Sequence, residues 1–136
     1  MSKSIKPEKI TEQQCLEYCM QVGIDVDVID SKATYSLAKK SYTKSKSVPE
    51  GFSDLVGNTS SGVAVFIELK AKGKLKTLRE KQYYFLMRKI HSGCFACAVD
   101  SAEMLHDIYV GWLGSQDKVS YLESQLKRPK SIFCEW

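Results

Sequence analysis

The segment Val63-Ala64-Val65-Phe66-Ile67 is apolar at every position and ends in Glu68-Leu69-Lys70. A run without polar alternation is the pattern of a central strand covered on both faces. Glu68 and Lys70 are two apart, so they leave the strand on one face, that of Ala64 and Phe66. A carboxylate and an ammonium at the end of a buried face are costly unless they pair with each other or hold a metal. Upstream, Asp54-Leu55-Val56-Gly57 leads into that strand through Asn58-Thr59-Ser60-Ser61-Gly62, all turn-forming residues. A hairpin centred on Ser60 sets Asp54 opposite Phe66 and on the face of Glu68 and Lys70, whereas a one-residue slip moves it to the other face. In the first register, two carboxylates and one lysine converge at the open end of a hairpin. That set suits a hard, oxygen-bound divalent cation with a cationic helper beside it.

A chain of 136 residues, 43% hydrophobic and 26% charged, is enough for one domain with a core and short for two. No apolar run reaches bilayer length, and Met1-Ser2-Lys3-Ser4-Ile5-Lys6 lacks the apolar stretch of a signal peptide. The expectation is a cytoplasmic protein without membrane contact. The net charge of +4 is unevenly placed. Residues 32–89 carry thirteen Lys or Arg against four acids, while both flanking stretches are net acidic. The basic excess therefore surrounds Asp54, Glu68 and Lys70. Carboxylates within a positive field suit a metal-dependent enzyme acting on a polyanion, although lysines also serve to solvate an exposed edge.

Five cysteines, an odd number, without a secretory signal point to reduced thiols. Cys94-Phe95-Ala96-Cys97 has the CxxC spacing but lies in an apolar strand, where residues three apart point to opposite faces. Cys15 and Cys19 fall on the apolar stripe of a helix. Free core cysteine is the preferred reading over a structural metal site.

Thr11-x-x-Gln14 reads as a capping box, predicting a helix from about Glu12 to Val22 with Ile10 as its staple and Gly23 as its stop. Its stripe is Cys15, Leu16, Cys19 and Met20, with Glu12 one turn before. Ile24 to Ile29 alternates as a half-buried strand, and Ala33 to Ala38 reads as another. From Lys39 to Gly51 the chain is basic and loop-like. A second capping box, Thr77-x-x-Glu80, predicts a helix to about Ser92 with Leu78, Phe85 and Leu86 buried and Gln82 facing the core, where its amide needs partners. Strand Cys94 to Val99 follows, then a helix from Asp100 or Ser101 with stripe Leu105, Ile108, Tyr109, Trp112 and Leu113. A last helix from Ser115 uses Val119, Leu122 and Leu126. His91 and His106 stand at helix positions suited to surface or cap roles.

The order of elements, with Gly51-x-x-Asp54, then Glu68-x-Lys70 at the end of an apolar strand, then Gly73-Lys74-Leu75 and Glu80-Lys81-Gln82, resembles the PD-(D/E)XK nuclease superfamily. It is most similar to the virus-type replication-repair nuclease branch, VRR-NUC, over roughly residues 10 to 113. The resemblance implies an α/β (α+β) fold, with a mixed central β-sheet flanked by helices in a restriction-endonuclease-like core. It implies one nuclease domain over residues 1–136, with a C-terminal helix and tail at 115–136. It further implies that Asp54 and Glu68 bind a divalent metal with the main-chain carbonyl of Leu69, that Lys70 positions or activates water, and that Gln82 completes the site. Glu12 would be the acid that helix one presents to the metal. The family's Pro before the Asp is Ser53 here.

Standalone members of that kind resemble junction-resolving enzymes that act as dimers on branched DNA. The expectation is thus a Mg²⁺-dependent, structure-selective endonuclease, with Mn²⁺ as substitute, no organic cofactor, and four-way junctions as substrate. Lys39, Lys40, Lys44, Lys46, Lys72, Lys74 and Lys76 would contact DNA phosphates, and Trp112, Phe133 and Trp136 are candidate dimer contacts, with core packing an equal alternative for Trp112. Two alternatives stand beside it. One is a flap- or sequence-specific nuclease on the same core; the other is a catalytically silent DNA-binding module. A Glu68–Lys70 pair serving only the fold is the corresponding structural reading.

Overall fold

The computed structural model describes residues 5–29, 34–36, 41–43 and 51–129. Helix α1 spans Pro7–Val22, followed by strand β1 at Asp25–Val28. Short strands β2, Thr34–Ser36, and β3, Ser41–Thr43, pair antiparallel with each other. Strand β3 falls within the stretch expected to be loop. Strands β4, Leu55–Asn58, and β5, Ala64–Leu69, form the hairpin. A 3-10 turn at Leu75–Thr77 precedes α2, Glu80–His91. Strand β6, Phe95–Val99, then α3, Ala102–Gly114, and α4, Lys118–Gln125, complete the order.

The sheet order is β1-β4-β5-β6, antiparallel except for β5 with β6. The apolar strand is therefore central, with partners on both edges, and every residue from Val65 to Leu69 is buried. The parallel β5–β6 pair is joined through α2, the crossover that parallel pairing requires. On the odd-numbered face, Phe95 meets the rings of Tyr109 and Trp112 on α3 at 5.4 and 5.1 Å. On the even-numbered face, Phe66 meets Phe85 of α2 at 5.6 Å, with Phe52 closing the cluster at 4.8 Å from Phe85. Truncating a ring such as Phe66 costs about 3–5 kcal/mol in a core of this kind.

Helix α1 begins five residues before its predicted start. Pro7 occupies the first turn, where a missing N–H costs nothing, and Thr11 is buried instead of capping. Its hydroxyl lies 3.4 Å from the carbonyl oxygen of Asp100, which ties the helix to the end of β6. Ile10 is exposed and does not staple, and Met20 is 81% exposed, outside the stripe. The stop at Gly23 holds: it adopts φ 79°, and its neighbour Ile24 donates to the Cys19 carbonyl. Helix α2 starts at Glu80, two residues later than Thr77 as cap would set it, because Leu75–Thr77 closes as a separate 3-10 turn. In α3, Trp112 is buried against Phe95, which removes it from the candidate dimer contacts, while Leu113 is exposed. Helix α4 is capped by Asp117, whose carboxylate accepts from the Ser120 amide, and not by Ser115.

Helices α1 and α3 run side by side, linked by a Tyr18 Oη to His106 Nδ1 hydrogen bond of 3.0 Å. The groove between them exposes Glu17, Glu103 and Asp107. Cys15, Cys19 and Cys97 pack beneath α1; burial pushes the Cys15 thiol up to about 12 and the Cys19 thiol to about 11. The four described cysteines are free thiols. Among the described residues, no helix is long and apolar enough to cross a membrane.

Candidate active site

The hairpin sets the site. Thr59 N donates to the Val63 carbonyl at 2.8 Å, and Val63 N donates to Thr59 Oγ1 at 3.1 Å. Only Ser60, Ser61 and Gly62 remain in the loop, with Gly62 at φ 89°, the left-handed position that three-residue hairpins need. The turn is thus centred on Ser61, not Ser60, and Val56, not Asp54, lies opposite Phe66. This corrects the register but keeps the face. Continued by one residue, it brings Asp54 beside Glu68 instead of one pair away.

Strand β4 ends at Leu55, and the Asp54 side chain takes over where the ladder stops. Its Oδ2 accepts from the Leu69 amide at 2.9 Å. Gly51 makes this approach feasible. It sits at φ 81°, and a Cβ there would lie 2.5 Å from the Lys81 carbonyl oxygen at the start of α2. Ser53, where the resembling family has Pro, is buried with its hydroxyl unpartnered among the described residues.

Gln82 joins the helix to the strand. Its Oε1 accepts from the Arg79 amide at 2.9 Å, satisfying an orphan N–H at the start of α2, and from Lys70 Nζ at 3.1 Å. Its Nε2 donates to Glu68 Oε2 at 3.1 Å. The amide orientation is thereby fixed from both ends. Lys70 Nζ also lies 3.8 Å from Glu68 Oε2. Asp54, Glu68, Lys70 and Gln82, four residues from three separate segments, are brought together.

Glu68 is 3% exposed, and among the described residues its Oε1 accepts from no donor. Burial, then the charge of Asp54 and a hydrogen bond with it, push its carboxyl up to about 9; Lys70 opposes this and Glu8 adds to it. Without a cation, the Glu68 carboxyl therefore keeps its proton at neutral pH. A buried carboxyl oxygen that accepts from no donor, beside a second carboxylate, is what a hard divalent cation would satisfy while replacing that proton. Among the described residues, no group of three or more His, Cys, Asp or Glu side chains gathers as a metal site. The two carboxyl groups, Asp54 and Glu68, match the needs of a cation such as Mg²⁺, which takes one or two carboxylates and keeps several waters.

Of the acids on α1, Glu8 adds the smallest of the influences that raise the Glu68 carboxyl. Glu12 pairs with Lys9 at 2.7 Å. Lys72, Lys74 and Lys76 are exposed on the segment following β5, which is anchored by Gly73 N donating to Asp100 Oδ2 at 2.9 Å. Lys39, Lys40, Lys44, Lys46, Phe133 and Trp136 lie outside the described residues. His91 and His106 are exposed; the former is 2.8 Å from Glu123.

The class defined by this architecture is α/β: a mixed four-stranded sheet with four helices packed against it. Comparisons with protein-family models, with curated proteins and with solved structures gave no match.

Proposed function

We propose that this chain is a Mg²⁺-dependent, structure-selective DNA endonuclease with a PD-(D/E)XK core of the VRR-NUC type, resolving branched DNA as a homodimer. The observation that carries this reading is the convergence of Asp54, Glu68, Lys70 and Gln82 around a buried carboxyl oxygen that accepts from no donor among the described residues. A structural ion pair alone would need neither the second carboxylate nor the unsatisfied oxygen.

Asp54 and Glu68, with the Leu69 carbonyl, would hold the cation, whose chemistry there is Lewis acidity toward a phosphodiester and a more acidic water. Gln82 holds the Glu68 carboxylate and the Lys70 ammonium in fixed relation, so no reorganisation is needed when charge develops. Lys70, the one cation of the network, orients a water and offsets negative charge accumulating on the phosphate. Lys72, Lys74 and Lys76 supply backbone contacts that position the substrate without reading its sequence. Two symmetric cuts need two such sites, hence two chains.

The test is cleavage of labelled linear, flap and four-way substrates. Activity is expected with Mg²⁺ or Mn²⁺, none in chelator, and binding with little turnover in Ca²⁺; sedimentation with a four-way junction should give two chains per junction. Cleavage that persists in chelator would rule the reading out.

A further inference from the structure

Among the aromatic side chains whose exposure is described, Tyr84 alone is exposed, at 57%. The others lie in the core or are half-buried against it. On α2, Tyr84 follows Lys81 by three residues and precedes Arg88 by four, so the three form one outward stripe. This stripe turns away from Gln82, which points into the site. Its ring contacts the edge of Tyr83 at 5.4 Å. Arg88 is not a loose surface charge, since its guanidinium rests over the Phe85 ring, 5.4 Å from the centroid. From Lys70 to His91 the chain carries eight Lys or Arg against a single acid, Glu80.

An exposed ring between two cations, in a field of that sign, fits a ligand offering both a flat apolar face and an anionic backbone. Unpaired nucleotides have both, whereas paired duplex offers only its phosphates. We propose that the outer face of α2 binds the unpaired strand of a branched DNA, one base stacking on Tyr84 while Lys81 and Arg88 meet the flanking phosphates. This rests on the nuclease reading and names the feature of the substrate selected: a branch that carries an unpaired arm, held on the helix face remote from Gln82.

The experiment compares wild type, Tyr84→Ala, Tyr84→Phe and Arg88→Gln. Each is tested in chelator, where cleavage plays no part, on a fully paired duplex and on that duplex extended by an unpaired arm carrying a fluorescent adenine analogue. Wild type should quench the analogue by stacking. Tyr84→Ala should weaken binding of the unpaired arm by roughly 5- to 100-fold and abolish quenching, with duplex affinity changed by less than about twofold. Tyr84→Phe should retain both signals, and Arg88→Gln should weaken both substrates with a smaller salt dependence. Equal affinity of Tyr84→Ala and wild type for the unpaired arm would overturn the proposal. So would equal loss on both substrates, or loss of self-association in sedimentation with DNA binding intact, which would make Tyr84 a protein contact. Metal-dependent cleavage unaffected by Tyr84→Ala would refute this surface and leave the nuclease reading standing. Quenching without cleavage of any substrate would do the reverse.

Discussion

Glu68 carries the two properties on which the proposed site rests. It is buried, and among the described residues one of its oxygens accepts from no donor. In Asp54→Asn, Glu68→Gln and Lys70→Met, cleavage should fall by at least ~10², through lost metal or transition-state stabilisation. Melting temperatures should hold or rise, since Glu68 is already neutral at pH 7 without metal and no buried charge is stranded. Were the pair structural, the same changes would cost about 3–5 kcal/mol, and activity would be lost only with the fold. Melting curves and single-turnover cleavage on one set of variants distinguish the two. The carboxyl also sets a pH dependence. Its folded value, about 9, lies above the ordinary 4.5, so the folded state retains a proton that the unfolded chain releases. That stabilisation is complete below about pH 4.5 and is lost as pH rises toward 9, at no more than about 1.4 kcal/mol per unit. In chelator the melting temperature should fall over this window. Saturating Mg²⁺ or Glu68→Gln should flatten the slope; an unchanged slope in Glu68→Gln would place its origin elsewhere.

At the scale of elements, the site depends on where three of them end: β4 at Leu55, β5 at Leu69 and the start of α2 at Glu80. Gly51 governs their spacing. Gly51→Ala should destabilise by about 1–3 kcal/mol and lower activity beyond what the melt explains, because relief of the clash must move the Lys81–Gln82 backbone. Denaturation and cleavage on that variant check it; full activity would show that the loop has room to shift. The central strand was legible in the sequence because burial on both faces leaves an unmistakable apolar run, and Gln82 because an amide on an apolar stripe demands partners. The hairpin register was not. Five turn-forming residues allow more than one closure, and Thr59 decided it by bonding Val63 through both backbone and side chain. The two capping boxes misled for a related reason. Thr11 and Thr77 carry the right spacing, but Thr11 is buried against β6 and Thr77 spends its hydroxyl on the Lys74 carbonyl at 2.6 Å. Short polar side chains have several local partners, and tertiary contacts choose among them.

Over the described residues, exposed charge is unevenly spread about the sheet. The α1–α3 groove exposes Glu17, Glu103 and Asp107 with Lys72 on its lining, and the α2 side with its preceding segment exposes Lys74, Lys76, Arg79, Lys81 and Arg88 beside the single acid Glu80. The candidate site lies near the more basic of the two. The consequence of this imbalance belongs to encounter kinetics. A polyanion turns such a body before touching it, so fewer collisions arrive wrong side first. The association rate with DNA should therefore fall steeply as salt rises, while dissociation from an already bound state responds less. Stopped-flow measurements on Lys72→Gln, Lys74→Gln and Lys76→Gln combined should show slower arrival. Reversing Glu17, Glu103 and Asp107 to lysine should leave contacts at the site untouched yet blunt the orientation, letting the protein land on either side and lengthening the search for a productive one.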